Sequence, residues 1–349
     1  MVNKLEGANT ALITPMTSSG KVNWRDLINL VEYQVENGIH GIVSCGTTGQ
    51  SPTLTWEEHE EVNRAVAKAS GGKVSLVFGA GSNNTAEAEA ATLRAWLEGA
   101  DATLHVTGYY NAPSQLGIID YFSAVARSAP IPVIMYDVRG RGHPPIMPAS
   151  RIKLARMHSN IVGVKEASGK ENAADWRETR RLAREHGFDR HSFKSISGDD
   201  PNTFEMMTDP QVEGVGVISV WSNIFPHVYS RLASLLLKGD IEEAKGLDDS
   251  LKELNGIVGV RVPGELKIDG ASYPVTDSFR NPEPVQFAAF ALGIIESPYL
   301  RSPLGFLPPE GQKVVGKILW TLYQELPEYF KPIAAQFKVD IQKRLETYR

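Results

Sequence analysis

The sequence predicts an α/β chain folded as a (β/α)8 TIM barrel with a C-terminal helical region. Three observations lead there. Short apolar, β-rich runs alternate with longer amphipathic stretches eight times before about residue 237. The 349 residues accommodate one barrel of about 250 residues and an addition of about 100. The strand rhythm then stops from about residue 238 onward. Eight strand–helix pairs fit a closed parallel barrel better than an open doubly wound sheet.

The candidate strands are residues 8–14, 41–45, 74–79, 102–107, 132–137, 161–165, 193–197 and 215–220. Helical periodicity marks 24–37, 55–70, 85–98, 115–128, 148–158, 171–186, 201–208 and 223–237. Thr55, with Glu58 at the third helical position, reads as a capping box, and Thr85 reads as a second capping residue before an acidic first turn. Residues 1–237 are assigned to a barrel carrying the active site, and 238–349 to a helical extension packed on it. Within the extension, 239–258, 284–296, 311–325 and 331–348 look helical, whereas the turn formers in 261–283 suggest a loop or small excursion.

Composition narrows the function classes. With 42% hydrophobic and 22% charged residues the chain can bury a large core. A net charge of −5 gives no electrostatic reason to bind nucleic acid or an anionic membrane, so small-molecule substrates are the expected partners. No run approaches the roughly 20 apolar residues of a spanning helix, and the start lacks a secretory signal pattern, which points to a cytoplasmic protein. Cys45, the one cysteine, lies in an apolar run and is expected to be a buried small residue rather than a reactive thiol. The eight histidines show no ligand spacing, so no metal site is expected.

In such a barrel, chemistry belongs at the C-terminal ends of the strands. The sixth candidate strand ends in Lys165, followed by Glu166. A desolvated amine there can attack a carbonyl, while the bland alternative is a lysine that snorkels outward or pairs with Glu166. Thr47 and Thr48, between Gly46 and Gly49, can form a compact loop for a small carboxylate or simply a turn. Tyr109, Tyr110 and Tyr136 offer hydroxyls for proton relay, and Arg139 and Arg141 offer forks for a carboxylate, unless they only pack or face solvent. Asp199 and Asp200 read as a helix N-cap.

Taken together, these residues resemble the dihydrodipicolinate synthase and N-acetylneuraminate lyase superfamily, nearest to its dihydrodipicolinate synthase branch. The matching blocks are TALITPM (10–16), GTTGQSPTL (46–54), GAGSNNTAEA (79–88), GYYNAPSQLG (108–117), GVKEASG (163–169), SGDD (197–200) and GVGVISV (214–220), with YLRSPL at 299–304. The resemblance implies a lyase that condenses pyruvate with L-aspartate semialdehyde to 4-hydroxy-tetrahydrodipicolinate in lysine and diaminopimelate biosynthesis. By the same resemblance Lys165 forms the imine with pyruvate, and Tyr136 transfers protons. Thr48 links Tyr136 to Tyr110, which the family donates across a subunit interface of a homo-oligomer, a dimer or tetramer. Thr47 and Thr48 contact the pyruvate carboxylate, Gly198 and Ile218 line its pocket through their backbones, and Arg141 holds the carboxylate of the second substrate. No cofactor beyond the covalent imine is implied. Ser51, Trp56, His59, Asn83, Glu87 and Tyr109 match the positions at which lysine-sensitive members bind their effector.

Departures touch the second substrate. Asp137, Arg139 and Gly142 alter the loop after the fifth strand, and Gln50 stands where the family usually has Glu. An aldolase acting on another 2-oxo acid, such as a 2-keto-3-deoxy sugar acid, is the competing enzyme reading. A retired, non-catalytic barrel is the competing binding-module reading, and it predicts loss of residues such as Lys165, Tyr136 and Thr48, all of which are present.

Overall fold

Eight strands pair in chain order, and the eighth returns to the first to close a parallel barrel. In this computed structural model, which describes residues 4–349, they are β1 Gly7–Ala11, β2 Gly41–Ser44, β3 Ser75–Gly79, β4 Ala102–Val106, β5 Val133–Asp137, β6 Ile161–Glu166, β7 Lys194–Ser197 and β8 Gly216–Ser219. Each is followed by a helix: α1 Trp24–Glu36, α2 Trp56–Ser70, α3 Thr85–Leu97, α4 Gln115–Ser128, α5 Pro148–Met157, α6 Ala173–Glu185, α7 Thr203–Thr208 and α8 Pro226–Lys238. Every expected strand and helix is therefore present. The Thr55 capping box forms with Glu58. The cap of α3, however, is Asn84, whose side chain accepts from the Ala86 N–H; Thr85 is already helical and cannot cap.

The tail corrects one expectation. Helices α9 Ile241–Ser250 and α10 Lys252–Gly256 precede a two-stranded antiparallel hairpin, β9 Gly259–Ile268 and β10 Ala271–Arg280, where a loop was expected. Asp269 and Gly270 connect the strands, both with positive φ, as a two-residue hairpin turn requires. The segment's turn formers include Pro263 and Pro274, both inside the strands. In a two-stranded ribbon, half the backbone N–H groups face away from the partner strand, and proline is tolerated there. Only Val260 and Val262, at the base, are buried. Helices α11 Glu283–Ala291, α12 Pro309–Glu325, α13 Lys331–Phe337 and α14 Ile341–Leu345 follow. They share one core with α1 and α8 through Leu30, Leu232, Phe287, Leu319 and Phe330. Among the described residues, no helix is long and apolar enough to cross a membrane.

Alternation along the strands sorts β5 and β6 into two faces. Ile134 and Tyr136 join the barrel interior, whereas Val133, Met135 and Val164 pack beneath the helices. By the same alternation Asp137 and Glu166 point outward, toward α5. There the fully buried Arg151 meets both: Nη2 donates to Asp137 Oδ2 at 2.6 Å and to Glu166 Oε2 at 3.3 Å, and Nη1 donates to Glu166 Oε1. Nη1 also donates to Thr179 Oγ1 at 2.9 Å, and Nε to the Ile146 carbonyl at 2.7 Å. All five guanidinium N–H groups are thus satisfied. Burial pushes the Glu166 carboxyl up to about 7, against the pull of Arg151.

Two predictions follow from burial. Arg151→Met should strand two buried carboxylates and cost about 3–5 kcal/mol, read as a lower urea midpoint; a loss under about 1 kcal/mol would mean that water reaches them. The second concerns His105, fully buried on β4 beside Thr92 and Tyr121. Burial pulls its imidazole down to about 3, from an ordinary 6.5. The unfolded chain therefore binds a proton that the folded chain refuses between those values, and stability falls as pH drops below about 6.5. At pH 5 the penalty is about 2 kcal/mol. His105→Gln should flatten the fall in Tm between pH 7 and pH 5, and an unchanged slope would refute the buried-neutral assignment.

Candidate active site

Lys165 and Tyr136 are register partners on adjacent strands, so the closed barrel sets their side chains next to each other at its C-terminal end. Lys165 is 6% exposed. Its Nζ lies 4.2 Å from the centroid of the Tyr136 ring. Glu166, the neighbour with which it could have paired, is taken by Arg151 on the opposite face of the strand. Among the described residues, no carboxylate forms an ion pair with Lys165.

Gly198 follows β7 and donates its N–H to the Glu166 carbonyl at 2.6 Å. A Cβ at this position would stand 2.9 Å from Lys165 Cε and 2.9 Å from Ala167 Cβ, so the lysine stem occupies space that only glycine leaves open. Asp199 comes next, and its carboxyl is raised by burial, with the Lys165 ammonium opposing that rise. Asp200 does not cap the following helix as expected. Its Oδ2 accepts from the N–H groups of Val220 at 2.9 Å and Trp221 at 3.2 Å, tying the loop after β7 to the loop after β8. Its carboxyl is pushed up to about 6, chiefly by burial.

These groups border a cavity of about 450 Å³, whose wall includes Thr48, Tyr136, Arg141, Lys165, Gly198 and Asp199. Ile218 is buried in the barrel interior and is not on that wall. Thr48 is also buried, and its Oγ accepts from Asn281 Nδ2 at 2.9 Å. Arg141 Nη2 donates to the Asn281 carbonyl at 2.6 Å. Asn281 directly follows the hairpin, inside the segment expected to be a loop, and no motif in the sequence marked it. The expected relay is not assembled within one chain: Thr48 bonds Asn281 rather than a tyrosine, and Tyr110 is 94% exposed with φ of 69°.

A second cavity of about 450 Å³ shares Tyr136 and Arg141 with the first. Thr47, Ser51, Trp56, His59, Glu87 and Tyr109 line it. Five of the six positions matched to an effector are therefore gathered; Asn83 is not on the wall, and its carbonyl accepts from Asn111 Nδ2 at 2.7 Å. Trp56 and His59 pack with tilted rings, centroids 4.8 Å apart, and Glu87 accepts from Ser82 Oγ at 2.7 Å. His143, which had no expected role, joins this wall and packs edge-on against Tyr109. The Cys45 thiol is buried, as expected, and burial pushes it upward.

The departures in the strand-five loop have a structural reason. Arg139 Nη2 bonds Asp137 Oδ2 at 3.2 Å and Asp175 at 2.5 Å, extending the Arg151 network, and Gly142 has φ of 76°. Gln50 is fully buried and uses both ends of its amide: Nε2 donates to the Thr14 carbonyl at 3.2 Å, and Oε1 accepts from the Arg301 N–H at 3.1 Å. A glutamate could supply only the second of these. Arg301 also pairs with both oxygens of Glu58 at 2.6 Å, binding the tail to the start of α2.

Known proteins share this fold. Residues 4–322 match the model of the dihydrodipicolinate synthetase family. The 4-hydroxy-tetrahydrodipicolinate synthase of Alcanivorax borkumensis is 37% identical over 300 residues, covering 86% of this chain and 92% of the relative. A dihydrodipicolinate synthase of Acinetobacter baumannii, solved in complex with pyruvate, superposes with a TM-score of 0.79 at 30% identity, over 91% of this chain and 99% of that one. The enzyme of Cyanidioschyzon merolae, solved with lysine bound, gives 0.78 at 32% identity, over 92% and 99%. With the barrel, the strand-end lysine and tyrosine and this similarity over most of its length, the chain belongs to the dihydrodipicolinate synthetase family.

Proposed function

We propose that this chain is a lyase of the 4-hydroxy-tetrahydrodipicolinate synthase type, condensing pyruvate with L-aspartate semialdehyde through an imine on Lys165. The observation that carries the reading is the shielded Lys165 amine beside Tyr136, in a cavity that Arg141 also borders. The amine adds to the pyruvate carbonyl and water leaves, giving a protonated imine. That imine accepts the electron pair left when the methyl group loses a proton, and the resulting enamine attacks the aldehyde. The substrate's own amine then displaces Lys165 and closes the ring. Tyr136 is assigned the proton transfers. Thr47, Thr48 and the backbones of Gly198 and Ile218 are assigned the pyruvate carboxylate, and Arg141 the carboxylate of the aldehyde. The covalent imine serves in place of a separate cofactor.

The exposure of Tyr110 favours a homo-oligomer, a dimer or tetramer, in which this residue reaches a neighbouring subunit's Thr48. The second cavity suits L-lysine as effector. Glu87 can pair with an ammonium, Tyr109 can bond a carboxylate, and Trp56 can cover the aliphatic stem. The shared Tyr136 and Arg141 give such an effector direct contact with the catalytic wall. A cytoplasmic, small-molecule enzyme remains the assignment that composition supports.

Pyruvate with borohydride should add one reduced pyruvyl mass to the peptide containing Lys165, and Lys165→Arg should abolish it. A label on another lysine would overturn the assignment, and the product formed with aspartate semialdehyde should be the cyclic 4-hydroxy adduct. For the effector site, millimolar L-lysine should inhibit turnover and raise Tm, and Glu87→Gln should weaken both effects about tenfold in lysine concentration. Neither inhibition nor a Tm rise in the unaltered protein would leave these residues as packing alone.

A further inference from the structure

Four arginines stand around the loop after β5, and their charges are handled in two different ways. Arg139 and Arg151 are neutralised by Asp137, Asp175 and Glu166. Arg141 and Arg280 form no ion pair among the described residues. Each instead donates once, to a backbone carbonyl on the other's segment: Arg141 to Asn281 at 2.6 Å and Arg280 Nη1 to Gly140 at 3.2 Å. Both line the cavity that holds Lys165. The backbone of Arg280 is fixed at the hairpin base, where its N–H donates to Glu283 Oε2 at 2.7 Å and Glu283 Oε1 accepts from the Gly305 N–H at 3.0 Å.

Two guanidinium groups with free donors and no ion pair, on the wall of one cavity, can share a carboxylate between them. Pyruvate's carboxylate belongs deeper, beside Lys165, so the anion that fits this place is carried by the second substrate. We infer that Arg280, delivered by the hairpin, is a specificity-determining residue that grips the carboxylate of the incoming aldehyde together with Arg141. This rests on the proposed condensation, and it defines the substrate class as aldehydes bearing a carboxylate. A barrel lacking the hairpin's last residue would have Arg141 alone for this task.

The experiment is steady-state kinetics at saturating pyruvate, with aspartate semialdehyde, succinate semialdehyde and the uncharged aldehyde propanal, on the full chain. Arg280→Gln keeps a donor for the Gly140 carbonyl but removes the charge. It should lower kcat/KM for both carboxylated aldehydes about 10- to 100-fold, mainly through KM. The propanal rate and borohydride trapping of pyruvate should stay unchanged, and Arg280→Lys should recover part of the loss. Unaltered kinetics with the carboxylated aldehydes, or equal losses with propanal, would overturn the assignment. Failure of the unaltered protein to trap pyruvate would instead strike the condensation itself.

Discussion

Arg151 holds β5 and β6, the strands that present Tyr136 and Lys165, in fixed relation. Tyr136 and Lys165 point into the barrel, and the residues next to them, Asp137 and Glu166, point out to the same guanidinium. Because side chains alternate along a strand, anchoring the outward residue fixes the rotation of the inward one. Two buried carboxylates around one buried arginine bring no great stability compared with an apolar filling. What they supply is placement, since each of the five donors has a single acceptor. Arg139 and Asp175 extend the same arrangement to the loop that presents Arg141.

That network also explains how the site separates its charges. Asp137 and Glu166 are neutralised on the outer face of the strands and Asp200 is held by backbone N–H groups, so Asp199 is the carboxyl on the cavity wall that senses the charge of Lys165. Lys165 forms no ion pair among the described residues, which suits the attack on a carbonyl proposed for it. Arg141 and Arg280 at the cavity wall meet backbone oxygens, which the carboxylate of the proposed second substrate can displace at small cost.

The barrel was legible because its signal is repeated. Eight alternating elements identify one another, and strand ends such as Val164-Lys165 and Met135-Tyr136 then mark the candidate site. Single, non-repeating features were harder to read. Pro263 and Pro274 concealed the hairpin, although Asp269-Gly270 between them was a turn signal in plain view. Arg151, in the stretch Pro148–Met157, looks like any solvated helix charge, because its partners lie on two other elements. Asn84 outcompeted Thr85 as a cap because the two are adjacent and either side chain could have served. Asn281 was hidden for a related reason: its partner Thr48 is 233 residues away.

That separation has a consequence for synthesis. The ribosome has made all eight strands, Tyr136 and Lys165 among them, before it makes the tail. The chain must extend to Arg280 and Asn281 before the cavity gains the wall that faces Thr48 and Arg141, and to Arg301 before the loop after β2 is tied down. Contacts so distant in sequence close late, after local strand and helix pairing is done. Lys165 is therefore made early and walled in last, and a chain interrupted in the tail carries the lysine without the wall that Arg280 and Asn281 add.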